Sequence, residues 1–141
     1  LINCLEIVVT DPDPDYLGIE IFASSARFSG ATKIYAGLDE LTQLAEVIER
    51  FPTSSKDERK YVFGEKNKGV AGGYCALRFY CRDGAGHIAV EVEFEDDDAY
   101  YYDASAKFSF PVLPTEIDEF VRQLRFIDKA QSGHAMLENK G

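Results

Sequence analysis

No stretch of the chain approaches the ~18 consecutive apolar residues of a membrane-spanning helix, so no segment reads as crossing a bilayer. Proline is sparse, at five residues in 141, and 45% of the chain is hydrophobic, which excludes collagen-like and disordered classes. Three cysteines are too few, and odd in number, for a disulfide scaffold. There is no Cys-x-x-Cys, and the two histidines, His87 and His134, are not at ligand spacing, so no zinc site is expected. Gly64-x4-Gly69 is followed by Val70-Ala71 instead of the Lys-Ser/Thr on which a phosphate loop depends. No Gly-x-Gly-x-x-Gly follows a strand, and no serine is flanked as Gly-x-Ser-x-Gly. These absences predict no cofactor, no metal and no nucleophile of a familiar kind.

Basic residues are also missing where they would matter most. Fifteen Lys and Arg against twenty-five Asp and Glu leave a net charge of −10, which disfavours non-specific binding to nucleic acid or anionic lipid. The excess is uneven. Residues 1–26 carry five acids and no base, residues 27–82 are mildly basic, and residues 83–106 carry eight acids with no Lys or Arg. One-signed blocks of this kind steer oppositely charged partners, although they also serve simply to keep a β surface soluble.

What is present is strong alternation. Residues 1–9 are rich in β-branched side chains and read as a strand, broken by Asp11-Pro12-Asp13-Pro14-Asp15. A second strand begins at Leu17, with strand character resuming over 27–36 after a bulge near Ser24-Ser25. Leu38, Leu41, Leu44, Ala45, Ile48 and Phe51 fall at helical spacing ahead of Pro52, which predicts a helix over 38–50. A short strand is expected at 59–63 and a glycine-rich loop at 64–73. Cys75, Leu77, Phe79 and Cys81 then alternate with polar residues, as do Ile88, Val90, Val92 and Phe94, around the turn Asp83-Gly84-Ala85-Gly86. Setting Arg82 opposite His87 places Cys81 against Ile88, Phe79 against Val90, and Arg78 against Glu91 as an opposite-charge pair; a slip by one residue would break every apolar match. A further strand carries Tyr100, Tyr102, Ala104, Ala106, Phe108 and Phe110 on its apolar side until Pro111 and Pro114 stop it. Thr115 with Asp118 resembles a capping box before a helix over 115–129. The expected fold is α+β: an antiparallel sheet of five to seven strands in the order β-β-α-(β)-β-β-β-α, with two helices packed on one face. Residues 1–129 make a single domain and residues 130–141 a loosely held tail.

Chemistry-bearing residues are few. Cys75 and Cys81 lie six apart on one strand, ~20 Å from each other at ~3.4 Å per residue, too far to bridge. With Cys4 they read as buried, inert thiols, which suits a cytoplasmic protein. The chain begins at Leu1 and not at Met, which leaves room for an upstream segment such as a signal peptide. Asp11, Asp13 and Asp15 have the spacing of the first calcium-loop ligands, but Tyr16 stands where that loop needs Gly and Phe22 where it needs Glu. Asp96, Asp97 and Asp98 are adjacent on an extended chain, where neighbouring carboxylates point apart. A hydrolase would have to use the outward carboxylates Glu91, Glu93 and Asp103, on an open face without the apolar pocket that separates two carboxyl pKa values.

The stronger expectation is a surface. Tyr74, Arg78, Tyr80, Glu91, Glu93 and Glu95 share the wet side of the hairpin, with Tyr101 and Asp103 on the next strand. Tyrosines supply contact area and carboxylates supply steering, a composition suited to a basic protein partner. The segments Gly-Tyr-Cys-Ala-Leu-Arg-Phe (73–79), Gly-His-Ile-Ala-Val-Glu-Val (86–92) and Ile-Asp-Glu-Phe-Val-Arg-Gln-Leu (117–124) resemble those of small uncharacterised bacterial single-domain proteins, some of them immunity-like proteins of contact-dependent toxin systems. The resemblance implies a binding role, with a toxin domain as the basic partner, and transfers no catalytic residue. A homodimer formed through an exposed strand edge is the remaining alternative.

Overall fold

Alternating strands with one greasy side must bury that side against something, and here two sheets bury it against each other. A computed structural model of the chain describes residues 2–66, 72–96 and 104–139. The elements run β1 (Asn3–Pro12), β2 (Leu17–Ser24), β3 (Ser29–Ala36), α1 (Glu40–Ile48), β4 (Glu58–Gly64), β5 (Tyr74–Cys81), β6 (Ile88–Glu95), β7 (Ser105–Val112), α2 (Pro114–Ala130) and β8 (His134–Asn139). The strands form two antiparallel four-stranded sheets, ordered β3-β2-β1-β8 and β4-β5-β6-β7. Leu5, Ile7, Ile19 and Ile21 from the first sheet join Leu77, Phe79, Val90 and Val92 from the second in one buried core.

The α+β class and the antiparallel pairing agree with the sequence reading; the single sheet of five to seven strands does not. Period-two alternation says which face a side chain takes, and is silent on which sheet a strand joins. Ser24-Ser25 is not a bulge in a continuing strand. The Ser25 N–H donates to the Phe28 carbonyl at 2.8 Å, turning the chain so that β3 pairs back on β2. Pro111 does not end its strand but lies inside β7, opposite Ala89.

The tail is also a correction. Residues 134–139 form β8, paired with β1 from Asn3↔Asn139 to Val8↔His134, and Ala135 and Leu137 are fully buried. Six residues with Met136 on the outward side give too short an alternation to stand out in the sequence.

The helices do not lie together on one sheet face. They pack on each other, α1 against the core-facing side of β4 and α2 against the edge of β8. Tyr61 donates its hydroxyl to Glu40 at 2.9 Å, and Met136 N–H donates to Gln123 Oε1 at 2.7 Å. The cap of α2 also differs from expectation. Leu113 is the N-cap residue, and its backbone N–H donates to Glu116 Oε1 at 2.8 Å, so Thr115 and Asp118 lie inside the helix.

Two long-range contacts finish α1. Asp39, its N-cap residue, makes no capping bond. The cap comes from Asp128 in the last turn of α2, whose Oδ2 accepts from the Thr42 backbone N–H at 3.1 Å and from the Thr42 hydroxyl. Among the described residues its Oδ1 has no partner. At the other end, Arg59 donates to the Val47 and Glu49 carbonyls at 2.9 and 2.8 Å, satisfying acceptors the helix leaves open. Arg59 is held in turn by Asp57 at 2.8 Å and covers the Phe51 ring at 5.6 Å.

Replacing Asp128 with alanine removes the cap of α1 and is expected to lower stability by about 1–2 kcal/mol, read by chemical denaturation; an unchanged midpoint would show that Asp128 does not cap α1. The hydrogen bonds from Arg59 hold the Asp57 carboxyl down at about 2 from its ordinary 3.8. A depressed carboxyl stabilises the fold above its unfolded value. That contribution, about 2 kcal/mol, is expected to be present above pH 4 and to fade as pH falls towards 2. Asp57→Asn should flatten the acid limb of the stability curve in that window.

Candidate functional site

The outward face of the β4-β5-β6-β7 sheet holds the expected surface. Its parity follows from the register: Arg82 N–H donates to the His87 carbonyl at 2.8 Å, Cys81 faces Ile88, and Arg78 faces Glu91, as the alternation predicts. Tyr74, Arg78 and Tyr80 therefore project outward from β5, and Glu91, Glu93 and Glu95 from β6. Tyr101 and Asp103, with Asp97 and Asp98, lie outside the described residues. A shallow groove of about 400 Å³ runs across the face, bordered by Lys60, Val62, Tyr74, Arg78, Glu91 and Glu93.

Charge on this face is paired rather than uniformly negative. Arg78 grips Glu91 with two nitrogens at 3.3 and 3.2 Å, reaches Glu58 at 3.0 Å, and lies 4.1 Å from the centre of the Tyr80 ring. Lys66 contacts Glu93 at 3.2 Å and Glu95 at 3.7 Å, and sits 5.2 Å from the Tyr74 ring centre. Lys60 approaches Glu58 at 3.6 Å, and Lys107 approaches Glu91 at 4.0 Å. Four carboxylates thus meet four cations.

Three of those cations were not singled out from the sequence. Lys107 follows from pairing β7 to β6, since it stands opposite Glu93, and Lys60 from pairing β4 to β5, since it stands opposite Arg78. Neither pairing is visible in the acidic run read alone. The hydrogen bonds from Arg78 hold the Glu91 carboxyl below its usual range. Burial, then the neighbouring Glu93 charge, raises the Tyr74 phenol. The Tyr80 and Tyr74 rings thus lie beside guanidinium and ammonium groups that are themselves ion-paired.

The other sequence candidates do not converge on a site. Cys75 is fully buried, and burial pushes its thiol well up, away from nucleophilic character. Cys81 is half-buried instead of buried, with Sγ 3.5 Å from the Ser54 carbonyl. His87 is exposed at the hairpin corner, with Nδ1 2.8 Å from Asp83 Oδ2. Asp11 pairs with Lys33 at 2.8 Å, while Asp13 accepts from the Asp15 backbone N–H at 2.9 Å, so the three aspartates of that turn do not point to one centre. Among the described residues, no group of three or more His, Cys, Asp or Glu side chains is placed to hold a metal ion.

Set against family models, curated proteins and solved structures, the chain matches none.

Arg78→Ala is expected to let the Glu91 carboxyl climb back towards its ordinary range, seen by carboxyl NMR titration. The loss of stability should stay within about 1 kcal/mol, because these pairs are partly solvated. A Glu91 titration indistinguishable from wild type would remove Arg78 from the centre of the network.

Proposed function

We propose that this chain is a non-enzymatic protein-binding domain whose outward sheet face docks a basic protein partner. An immunity-like protein that neutralises a cationic toxin domain is the sharpest form of this reading. The observation that carries it is the end of the face where, among the described residues, Glu93 and Glu95 share the cation Lys66 beside the Tyr74 ring. Among the described residues two carboxylates face one cation there, and the sequence continues into Asp96-Asp97-Asp98. A basic partner would complete the pairing that Lys66 leaves undone, while Tyr74 and Tyr80 supply rigid contact area.

A hydrolase built on Glu91, Glu93 and Asp103 has less support. Arg78 holds Glu91 ionised and Lys66 engages Glu93, which favours salt-bridge roles over carrying a proton. The groove is also open to water, where two carboxyl groups are not driven apart in pKa.

Affinity capture on immobilised protein tests the reading, with the Glu93→Lys, Glu95→Lys double variant as control. A true partner should be retained near ~0.1 M salt, released by ~1 M salt, and lost by the double variant. Equal retention at ~1 M salt, or equal capture by the folded double variant, would count against docking at this face.

A further inference from the structure

Every open sheet has two edges of unpaired backbone groups, and in the β3-β2-β1-β8 sheet both are engaged. At β3, the Lys33 carbonyl accepts from Gly73 N–H at 2.8 Å. At β8 the Met136 N–H is taken by Gln123 of α2, while at β4 it is the Arg59 and Tyr61 side chains, on the core-facing side of the strand, that bind α1. The outer edge of β7 pairs with no strand among the described residues.

The ladder shows which groups that edge presents. The Arg82–His87 bond directs alternate β6 residues to β5, so Ile88, Val90, Val92 and Phe94 turn their backbone groups towards β7. Asp96 N–H donating to the Ala104 carbonyl at 3.0 Å continues the same alternation. Ser105, Lys107, Ser109 and Pro111 therefore direct theirs away from the sheet. Pro111, which has no N–H, stands where none is used for pairing within the sheet, the placement proline takes on an edge.

The flanks of this edge differ from the rest of the molecule. On one side is a shallow groove of about 400 Å³, bordered by Arg27, Phe28, Phe108 and Pro111. On the other is one of about 340 Å³, bordered by Tyr80, Arg82, Ser109 and Pro111. Neither lining contains a carboxylate, in a chain of net charge −10. Phe28 is 63% exposed, and the exposed Arg27 and Arg82 side chains have no ion-pair partner among the described residues.

We propose that β7 receives an extended segment of a partner protein as an added strand. Backbone groups of Lys107 and Ser109 supply the ladder, apolar side chains of the segment cover Phe28 and Phe108 on one flank, and its carboxylates, on the alternate positions, meet Arg82 on the other. This site selects the charge opposite to that favoured on the sheet face, so it stands or falls separately.

The probe is an acetylated, amidated peptide of alternating phenylalanine or valine and glutamate, titrated into the intact chain and followed by amide NMR. Saturable shifts should centre on Arg27, Phe28, Lys107 and Ser109, with slowed exchange of the Lys107 and Ser109 amides. Arg82→Glu should weaken binding by about tenfold or more, and the Glu93→Lys, Glu95→Lys variant should bind as wild type does. Ser109→Pro should abolish binding, because it removes an outward N–H that the fold does not use; if that variant does not fold, the arginine variant decides. Shifts absent from 105–111, equal binding of a lysine-for-glutamate peptide, or a β7 edge already paired to a second copy in solution would each overturn the proposal.

Discussion

Everything in this structure follows from strands that bury every second side chain. Leu5 and Ile7 of β1, Leu77 and Phe79 of β5, and Val90 and Val92 of β6 are all at most 1% exposed, while Glu6, Arg78 and Glu91 between them are not buried. Two sheets with one dry face apiece satisfy one another, which leaves the margins of the sandwich as the problem to be solved. Helix α2 lies along β8 and α1 along β4, with the helix pair closing that side of the core. Asp128 ties the pair together by serving as the missing cap of α1, although a carboxylate in the last turn of a helix opposes that helix's own dipole. The arrangement is tolerable because the same charge sits at the favourable N-terminal end of its neighbour.

Close approach at one corner depends on the absence of side chains. A Cβ on Gly73 would stand 1.8 Å from Thr32 Oγ1, and one on Gly64, whose φ is 72°, would stand 2.1 Å from the Gly73 carbonyl. Both glycines are needed for β4 and β5 to meet β3, where Thr32 donates to the Glu95 carbonyl at 3.2 Å. The outward face begins at that corner, so the position of Tyr74 and Glu95 is set by backbone packing rather than by their own contacts.

Local pattern was legible in the sequence, and long-range assembly was not. The β5-β6 register could be read from parity because both strands alternate cleanly and a tight turn joins them. It correctly brought Arg78 to Glu91. The division into two sheets left no such trace, since a strand's alternation is the same whichever neighbour it has. The same gap hid Lys60 and Lys107, whose strands reach the face through pairing that no short-range signal reports. Among the described residues, the three glutamates of that acidic run on this face thus meet cations in space, Glu91 pairing with Arg78 and Glu93 and Glu95 with Lys66.

The pairing of residues 3–8 with residues 134–139 bears on how the molecule is made. During synthesis β1 emerges before every other element of this fold and its neighbour β8 after them, so one flank of β1 waits while all the intervening elements are made. A contact of such long sequence separation is entropically slow to form, which makes the interval before β8 emerges the period of greatest exposure to mispairing.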